Sequence, residues 1–345
     1  MNKTLFYTAI IALVILIGVI ILSYNKSEPD LVLDVMKNRN IKDVYIPKIT
    51  DYYEDLANHK NINKVNNVDG CDTIGSKILL WLRLKEMYGD KATNYMPKTF
   101  YLNDLDDVEE LKVYYEKKKL ERPNQMYILK NMNQRQEGLG LTRQLLDMVS
   151  GLSYGWYLAQ EYIYNPFLID GHKINMRYYL LVLCKNGKTT AYVHKNGFMY
   201  YTPLKYDENI MHFNRHITTG YIDRKIYDVN PLTHDDFRLH LDNIKKGKSA
   251  KWDRNAMNLL KDVYLSCADD MCKNKQLEYY TTFEIFGCDL APDANLNAMI
   301  MEINKGPDLN AKDKRDKKVK LEVINDMFEI VEGGDINKTR FVQIY

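Results

Sequence analysis

Phe283-Glu-Ile-Phe-Gly-Cys-Asp-Leu290 is an apolar, strand-like run, and so is Met299-Ile-Met-Glu-Ile-Asn304. Each run carries oxygen-bearing side chains near its end, which makes the two runs the most informative part of the sequence. A short polar turn separates the two runs, so we expect them to pair as a hairpin. Pairing would bring Asp289 close to Glu302, and strand alternation puts Asn304 on the same face as Glu302. Two carboxylates and a carboxamide suit Mg²⁺, which shares its coordination sphere with phosphates. The pattern favours nucleotide-phosphate chemistry, with an ordinary hairpin that has acidic ends as the alternative.

The N-terminal part of the chain carries a separate signal. Residues 5–23 are an almost uninterrupted apolar run with the length of one membrane span, and residues 24–30 form a linker. A cleaved signal peptide would need a shorter apolar region and small residues before the cut, so we expect an uncleaved anchor. More lysine and arginine residues follow the run than precede it. The sequence therefore predicts a single-pass protein, anchored in a membrane, with its catalytic body in the cytosol.

Composition limits the classes of partner that the chain after the apolar run is expected to bind. The 345-residue chain is long enough for two or three domains and has a net charge of only +2, so no overall field favours nucleic acid. Basic runs at residues 117–119, 245–251 and 312–320 are predicted to be solvated surfaces, with a docking surface for an acidic protein tail as the alternative. The five cysteines are scattered and odd in number, so we expect free thiols in a reducing compartment. We expect no nucleic-acid partner.

Hydrophobic periodicity predicts an α+β arrangement rather than a doubly wound sheet. Helices are predicted at residues 77–87, 104–120, 253–273 and 312–331, and strands at residues 126–130, 156–163 and 174–184. Asn-Gly pairs within residues 185–188 and 195–197 predict two tight hairpin turns. The chain contains no internal repeat.

Several polar residues follow one another in the order of a nucleotide-binding site. Lys130 ends a predicted strand, where its ammonium group would meet phosphates. Gly138 and Gly140 would let backbone amides approach a phosphate closely, although two such glycines alone more often form a simple turn. Each of these signals is weak by itself, and their order carries the information.

The same order continues on the next two segments. Gln160-Glu-Tyr-Ile163 is predicted to be a hinge that contacts the edge of an adenine through backbone groups and the Gln160 side chain. Lys173, Asn175 and Arg177 alternate along one predicted strand, so their side chains point to the same face. Together with Lys130 and the hairpin, these residues indicate one phosphate-binding site.

These segments together resemble the tubulin-tyrosine ligase family, whose fold is ATP-grasp. The resemblance covers almost the whole chain after residue 30 and rests on residues 64–70 with Lys77, 96–100, 127–130 with 138–140, 160–166 with 169–173 and Arg177, and 283–304 with Pro307. It implies an N-terminal domain (residues 31–100), a central domain (101–165) and a C-terminal domain (166–345), with ATP between the last two. It also implies that a carboxylate is activated by ATP as an acyl phosphate and that an amine then displaces the phosphate.

The resemblance implies a role for each matching residue. Mg²⁺ would bind Asp289, Glu302 and Asn304. The implied nucleotide-binding residues are Lys77, Lys130, Gly138, Gly140, Gln160, Tyr162, Ile163, Lys173 and His212. The implied catalytic residues are Lys173, Arg177 and Glu302, with Arg177 neutralising charge on the phosphate oxygens.

The chain departs from the family pattern at several positions. Leu139 and Tyr200 stand where basic residues are expected, Glu161 replaces a lysine beside the adenine, and Asn175 replaces an aspartate. Of residues 212–215, only His212 matches the family. The implied metal ligands and two phosphate-binding lysines are retained, so we expect a divergent but active ligase.

The leading hypothesis is therefore an ATP- and Mg²⁺-dependent ligase that adds a free amino acid to a protein acceptor. Tubulin or another acidic tail is the expected acceptor, and tyrosine, glutamate and glycine remain open as the added residue. The alternative is a catalytically weakened, membrane-anchored ATP-grasp protein that tethers microtubules or another acidic partner. A third interpretation keeps the enzyme and changes the acceptor to a protein or peptide other than tubulin.

Overall fold

The computed structural model describes residues 30–47, 56, 61–132 and 138–345. The described helices are α1 (Leu31–Asn38), α2 (Asp72–Gly75), α3 (Lys77–Tyr88), α4 (Leu105–Glu121), α5 (Leu145–Val149), α6 (Phe213–His216), α7 (His234–Ile244), α8 (Lys248–Ala268) and α9 (Lys314–Val331). The described strands are β1 (Val44–Tyr45), β2 (Lys64–Val65), β3 (Thr99–Tyr101), β4 (Tyr127–Lys130), β5 (Leu139–Thr142), β6 (Leu158–Glu161), β7 (Leu168–Ile169), β8 (His172–Lys185), β9 (Lys188–His194), β10 (Phe198–Tyr201), β11 (Thr281–Pro292), β12 (Ala298–Lys305) and β13 (Phe341–Gln343). The predicted mixture of helices and strands is confirmed.

The larger of two sheets is built around the long antiparallel pair β8 and β11. Across the described residues it runs β1-β2-β11-β8-β9-β13, with β7 and β10 also on β8 and β12 also on β11. In this register Arg177 of β8 lies opposite Asp289 of β11, and Asp289 lies opposite Glu302 of β12. The predicted hairpin is thus confirmed, and its acidic residues face the basic end of β8.

The smaller sheet is four-stranded and antiparallel, in the order β3-β6-β4-β5. This sheet has its own hydrophobic core, which contains Phe100, Leu111, Tyr127 and Ala159. The core joins the sheet to α4, because Leu111 lies on that helix. Because β4 ends at Lys130, this sheet delivers a lysine to the space in front of the larger sheet. The two sheets thereby form opposite walls of one cavity.

The N-terminal elements pack on the larger sheet rather than standing apart from it. β2 pairs with β11 in parallel, and α1 contacts α9. Arg39 strengthens the second contact through ion pairs with Glu329 and Glu332. Leu31 and Phe341 belong to the same continuous hydrophobic core. The domain boundaries at residues 100 and 165 stay predictions.

Helix starts follow from local side-chain chemistry. Asp30, Ser76, Asp104, Thr233 and Asp313 each precede a helix and accept hydrogen bonds from backbone amides of its first turn. These caps explain why the predicted helices near residues 77, 104 and 312 are confirmed to within a few residues. The helix predicted at 253–273 is displaced, since α8 already begins at Lys248 and ends at Ala268.

Only one of the two predicted Asn-Gly hairpins forms. Asn186 and Gly187 have positive φ angles of 53° and 69° and join β8 to β9, as that turn type requires. The hairpin predicted at residues 195–197 is wrong, because β10 pairs with β8 instead of β9. A glycine is required at position 197 because the backbone passes close to β8 there, and a Cβ atom would lie 2.0 Å from the Arg177 carbonyl oxygen.

The predicted membrane-anchored localisation is corrected. Across the described residues, no helix has the length and apolar character needed to cross a membrane. The longest of them, α8, buries one face through residues such as Leu260 and Val263 and carries charged residues elsewhere. The predicted anchor at residues 5–23 lies outside the described residues, as does almost all of the linker at 24–30.

The expectation of five free thiols is also wrong for two of them. Cys184 at the end of β8 and Cys272 after α8 form a disulfide across 88 residues of sequence, while Cys71, Cys267 and Cys288 are free and buried. Spacing along the chain does not reveal this pair, because tertiary packing brings the two segments together.

Candidate active site

A cavity of ≈ 440 Å³ opens between the two sheets, and the polar residues singled out in the sequence converge on it. Its walls include Lys130 from the smaller sheet, Lys173, Asn175 and Arg177 from β8, Asp289 from β11, and Glu302 and Asn304 from β12. Leu139 and Tyr200, two of the departures from the family pattern, also line it. One space thus contains the predicted metal ligands, both predicted phosphate-binding lysines and the predicted catalytic arginine.

The predicted metal ligands lie together on β11 and β12. Asp289 is directly opposite Glu302 across the hairpin, and Asn304 Nδ2 donates a hydrogen bond of 3.0 Å to Glu302 Oε1. In the described parts of the chain, no group of three or more His, Cys, Asp or Glu side chains is placed to hold a metal ion. Two carboxylates and one carboxamide fit Mg²⁺ only if phosphate and water oxygens complete its coordination. The metal-binding role of these residues remains a prediction.

Arg177 holds one of these carboxylates. Its Nε and one terminal nitrogen contact the two oxygens of Asp289 at 2.6 and 2.9 Å, which is a bidentate arrangement. Burial alone would lower the pKa of Arg177, but Asp289 holds that pKa well above its usual value. The guanidinium group therefore stays charged in this desolvated position.

Glu302 stays ionised for a different reason. Burial would raise the pKa of its carboxyl group, but the hydrogen bond from Asn304 and the charges of Lys130, Lys77 and Arg177 hold it below its usual value. A deprotonated Glu302 among cations is the state required of a metal ligand.

Two lysines of the cavity, Lys130 on β4 and Lys173 on β8, are strongly desolvated. Burial lowers the pKa of Lys130 to about 8 and that of Lys173 to about 7, and the Lys173 shift is increased by the nearby Lys130. Lys130 Nζ donates to the Met301 carbonyl oxygen at 3.0 Å, and Lys173 Nζ lies 4.3 Å from the centre of the Tyr162 ring. An anion between them would restore the charged form of both, so this end of the cavity is suited to phosphate.

The predicted adenine-binding residues lie behind the cavity wall. Gln160 Nε2 donates to Thr99 Oγ1 at 2.8 Å, while its Oε1 is buried without a hydrogen-bond partner in the described structure. Tyr162 hydrogen-bonds His216 Nδ1 at 3.0 Å, and Ile163 is 9% exposed. None of these three side chains lines the cavity. Their contact with adenine therefore stays a prediction.

The remaining predicted nucleotide-binding residues occupy varied positions. Lys77 Nζ lies 3.4 Å from the Asn131 carbonyl oxygen at the edge of the site. Gly140 packs against Trp156, and Gly138 follows residues 133–137, which lie outside the described chain. His212 is exposed and caps α6 by accepting a hydrogen bond from the Asn214 amide. Neither Lys77 nor these three residues line the cavity.

Sequence reasoning missed the residues that close the cavity on its other side. They come from the segment after β10, from the turn that leads into α9 and from α9 itself, and they include His216, Gly220, Tyr221, Arg224, Asp308, Lys312 and Lys320. No spacing rule connects these two segments. The basic run at residues 312–320 was the only signal, and it was predicted to be solvated surface.

Comparisons with known proteins agree with this geometry. The family model described as "Tubulin-tyrosine ligase family" matches residues 55–339. Tubulin polyglutamylase TTLL6 of Mus musculus is 26% identical over 324 residues, which is 85% of this chain and 37% of that protein. Probable tubulin polyglutamylase TTLL2 of Mus musculus is 23% identical over 307 residues, 80% of this chain and 52% of that protein.

A shorter similarity links the chain to a nematode protein. Probable tubulin polyglutamylase ttll-9 of Caenorhabditis elegans is 26% identical over 183 residues, 51% of this chain and 42% of that protein. The chain thus spans between 37% and 52% of the length of these three curated relatives. The family match covers most of the chain and includes every described residue of the cavity wall. The chain therefore belongs to the tubulin-tyrosine ligase family.

Proposed function

We propose that this chain is an ATP- and Mg²⁺-dependent carboxylate–amine ligase that adds glutamate to a protein acceptor, with tubulin as the expected acceptor. The observation that carries the proposal is the pairing of Asp289 with Glu302 in the same cavity as two desolvated lysines, Lys130 and Lys173. Family membership supports the reaction type. The choice of glutamate and tubulin is supported by the names of the relatives, which are tubulin polyglutamylases.

The chain's own residues divide the work of such a reaction. When bound, Mg²⁺ and ATP supply a phosphoryl group that activates a carboxylate of the acceptor for attack by an amine. Asp289, Glu302 and Asn304 would hold the metal ion. Lys130 and Lys173 would hold phosphate oxygens, and Arg177 would stabilise the charge that develops nearby. Positioning and fixed charges provide most of the catalysis in phosphoryl transfer, and this cavity offers both.

The test is phosphate release from ATP and Mg²⁺ by the full chain, in the presence of tubulin and each of glutamate, tyrosine and glycine in turn. We expect release that requires both tubulin and glutamate, together with a mass increase of the acceptor by whole glutamyl residues. Dependence on tyrosine or glycine instead would keep the ligase and overturn the choice of glutamate. Tight binding of Mg²⁺ and ATP without release under any condition would favour the binding protein that lacks turnover.

Nucleotide binding is expected to take up a proton at Lys173. Burial lowers the pKa of this lysine to about 7 from the ordinary lysine value of 10.5, so at about pH 8 it is mostly neutral in the free protein. A phosphate oxygen favours the ammonium form and raises this pKa, so binding draws a proton from the buffer. At about pH 6 the lysine is already charged, and the uptake should disappear.

Calorimetric titrations with a non-hydrolysable ATP analogue and Mg²⁺ in two buffers of different ionisation enthalpy measure this uptake directly. Lys173→Met should remove the larger part of the buffer dependence at about pH 8, leaving the smaller proton uptake of Lys130, whose pKa is about 8. It should also weaken binding about 10-fold or more, as expected for a hydrogen bond to a charged group. Lys205→Met, at an exposed lysine paired with Asp170, is the matched control and should retain both. A wild-type enthalpy independent of the buffer would contradict the prediction.

A further inference from the structure

Part of the cavity wall, which we call its second end, comes from segments other than those that carry Lys130, Lys173 and the predicted metal ligands. Its residues come from the segment after β10, from the turn before α9 and from the first two turns of α9, namely Gly220, Tyr221, Arg224, Asp308, Lys312, Asp316 and Lys320. The two lysines predicted to bind phosphate lie on other elements, Lys130 at the end of β4 and Lys173 on β8. A ligase needs room beyond the phosphate for an acceptor carboxylate and an incoming amine, so the chemistry of this second end bears on the substrate.

Among the cations at this second end, Lys312 differs from its neighbours. Arg224 forms an ion pair with Asp313, and Lys320 lies 3.1 Å from Asp316. Lys312 has no carboxylate within ion-pair distance in the described structure. Its Nζ donates 3.0 Å to the Gly220 carbonyl oxygen and lies 4.4 Å from the centre of the Tyr221 ring. Its positive charge is therefore not neutralised by an ion pair among the described residues.

The surroundings of Lys312 favour the arrival of an anion. Partial burial lowers its pKa, and the nearby Lys320 and Arg224 lower it further, against the opposite effect of Asp308 and Asp316. A carboxylate placed beside Lys312 would relieve the repulsion among these cations and replace the lost hydration. The site would therefore bind a carboxylate better than a neutral group.

Lys312 also stands next to one of the departures from the family pattern. A Cβ atom on Gly220 would lie 3.1 Å from Lys312 Nζ and 3.5 Å from Cε1 of Tyr200, so the ammonium group and the ring converge on this glycine. Tyr200 occupies a position where the resemblance leads us to expect a basic residue. Its ring contacts Arg177, with 5.4 Å between the guanidinium carbon and the ring centre, and adds no charge of its own. Lys312 brings a positive charge to the same wall from a different segment.

We propose that Lys312 binds a substrate carboxylate at this second end and thereby determines the preference for an acidic substrate. The inference rests on the proposed function and adds the residue that selects the substrate. The carboxylate has two candidate sources, the side chain of free glutamate and a glutamate of the acidic acceptor. Gly220 assists because the absence of a side chain leaves room for the lysine to reach its carbonyl oxygen.

The experiment compares the wild-type full chain with Lys312→Met, Lys312→Arg and Lys318→Met, the last being an exposed lysine on α9 that does not line the cavity. KM and kcat are measured separately for glutamate and for tubulin. We expect Lys312→Met to raise the KM for either glutamate or tubulin about 10-fold, while kcat changes less. Lys312→Arg should bring this KM most of the way back to the wild-type value. An increase for glutamate identifies the free amino acid as the source of the carboxylate, and an increase for tubulin identifies the acceptor.

Two further readouts separate this inference from the proposed function. Discrimination between glutamate and glutamine should fall in Lys312→Met if the free amino acid is the source. Glutarate, used as a dicarboxylate probe, should raise the melting temperature of the wild type in the presence of ADP and Mg²⁺ but not that of Lys312→Met. Wild-type turnover with unchanged KM values in Lys312→Met would overturn the inference alone. If the wild type shows no turnover, the glutarate shift decides: its loss in Lys312→Met supports the carboxylate site, and its persistence overturns it.

Discussion

Glu302→Gln is expected to reduce ATP-dependent turnover by about 10²- to 10³-fold while leaving the fold intact. The substitution removes one of the two carboxylates predicted to bind Mg²⁺, and charge stabilisation by a bound metal contributes several kcal/mol, which corresponds to this range. Gln keeps the shape of the side chain and an oxygen that accepts the hydrogen bond from Asn304. The loss should therefore appear in catalysis and in the Mg²⁺ requirement rather than in folding.

Initial rates of phosphate release over a range of Mg²⁺ concentrations measure this effect, with the melting temperature as the check on folding. Glu329→Gln is the matched control, because Glu329 pairs with Arg39 at the contact between α1 and α9 and does not line the cavity. The control should keep the wild-type rate and Mg²⁺ dependence. Nearly full activity of Glu302→Gln would show that Glu302 on β12 is not a required metal ligand.

The part of the site built on regular strands could be predicted from the sequence. Strand alternation places Lys173, Asn175 and Arg177 on one face, and a short turn makes the pairing of Asp289 with Glu302 the simplest outcome. Both inferences depend only on local geometry, which the residue types specify. The structure adds the register that sets Arg177 opposite Asp289, and this register comes from the pairing of β8 with β11 across more than 100 residues.

The rest of the cavity depends on contacts that no local pattern encodes. Gly220 and Lys312 meet because the segment after β10 and the turn before α9 cover the same end of the larger sheet. The Asn-Gly pair at residues 195–197 failed as a hairpin signal for a related reason, since β10 finds its partner in β8 and not in the preceding strand. Tertiary pairing prevailed over the local turn preference in that case.

The protonation states of the cavity side chains likewise could not be predicted from the sequence. The Lys173 side chain is an ordinary lysine in composition, and only its burial beside Tyr162 and Lys130 lowers its pKa to about 7. The pKa of Glu302 in the same cavity is lowered for a carboxyl group, because the hydrogen bond from Asn304 and the surrounding cations outweigh its burial. A sequence can name such residues as candidates, but their protonation follows from the neighbours that the fold supplies.

Arg177→Met is expected to lower the free energy of unfolding by about 3–5 kcal/mol and to abolish turnover. Arg177 and Asp289 form a bidentate ion pair in which both side chains are nearly inaccessible, with exposed side-chain fractions of 13% and 11%. Removing the cation leaves a buried carboxylate without its partner, which is the costly way to break such a pair. Urea unfolding followed by circular dichroism measures the first effect, and phosphate release measures the second.

A second substitution separates the structural role of Arg177 from its proposed role in catalysis. In Arg177→Met/Asp289→Asn the buried charge is gone, so most of the lost stability should return while turnover stays absent. The loss of unfolding free energy in Arg177→Met should also be smaller at about pH 5 than at about pH 8. An unpaired, buried Asp289 has a raised pKa, so the folded protein binds a proton there more readily than the unfolded chain does. If the single variant were as stable as the wild type at both pH values, the two side chains would not be coupled in solution. Recovery of turnover in the double variant would instead show that neither Arg177 nor the Asp289 carboxylate is required for catalysis.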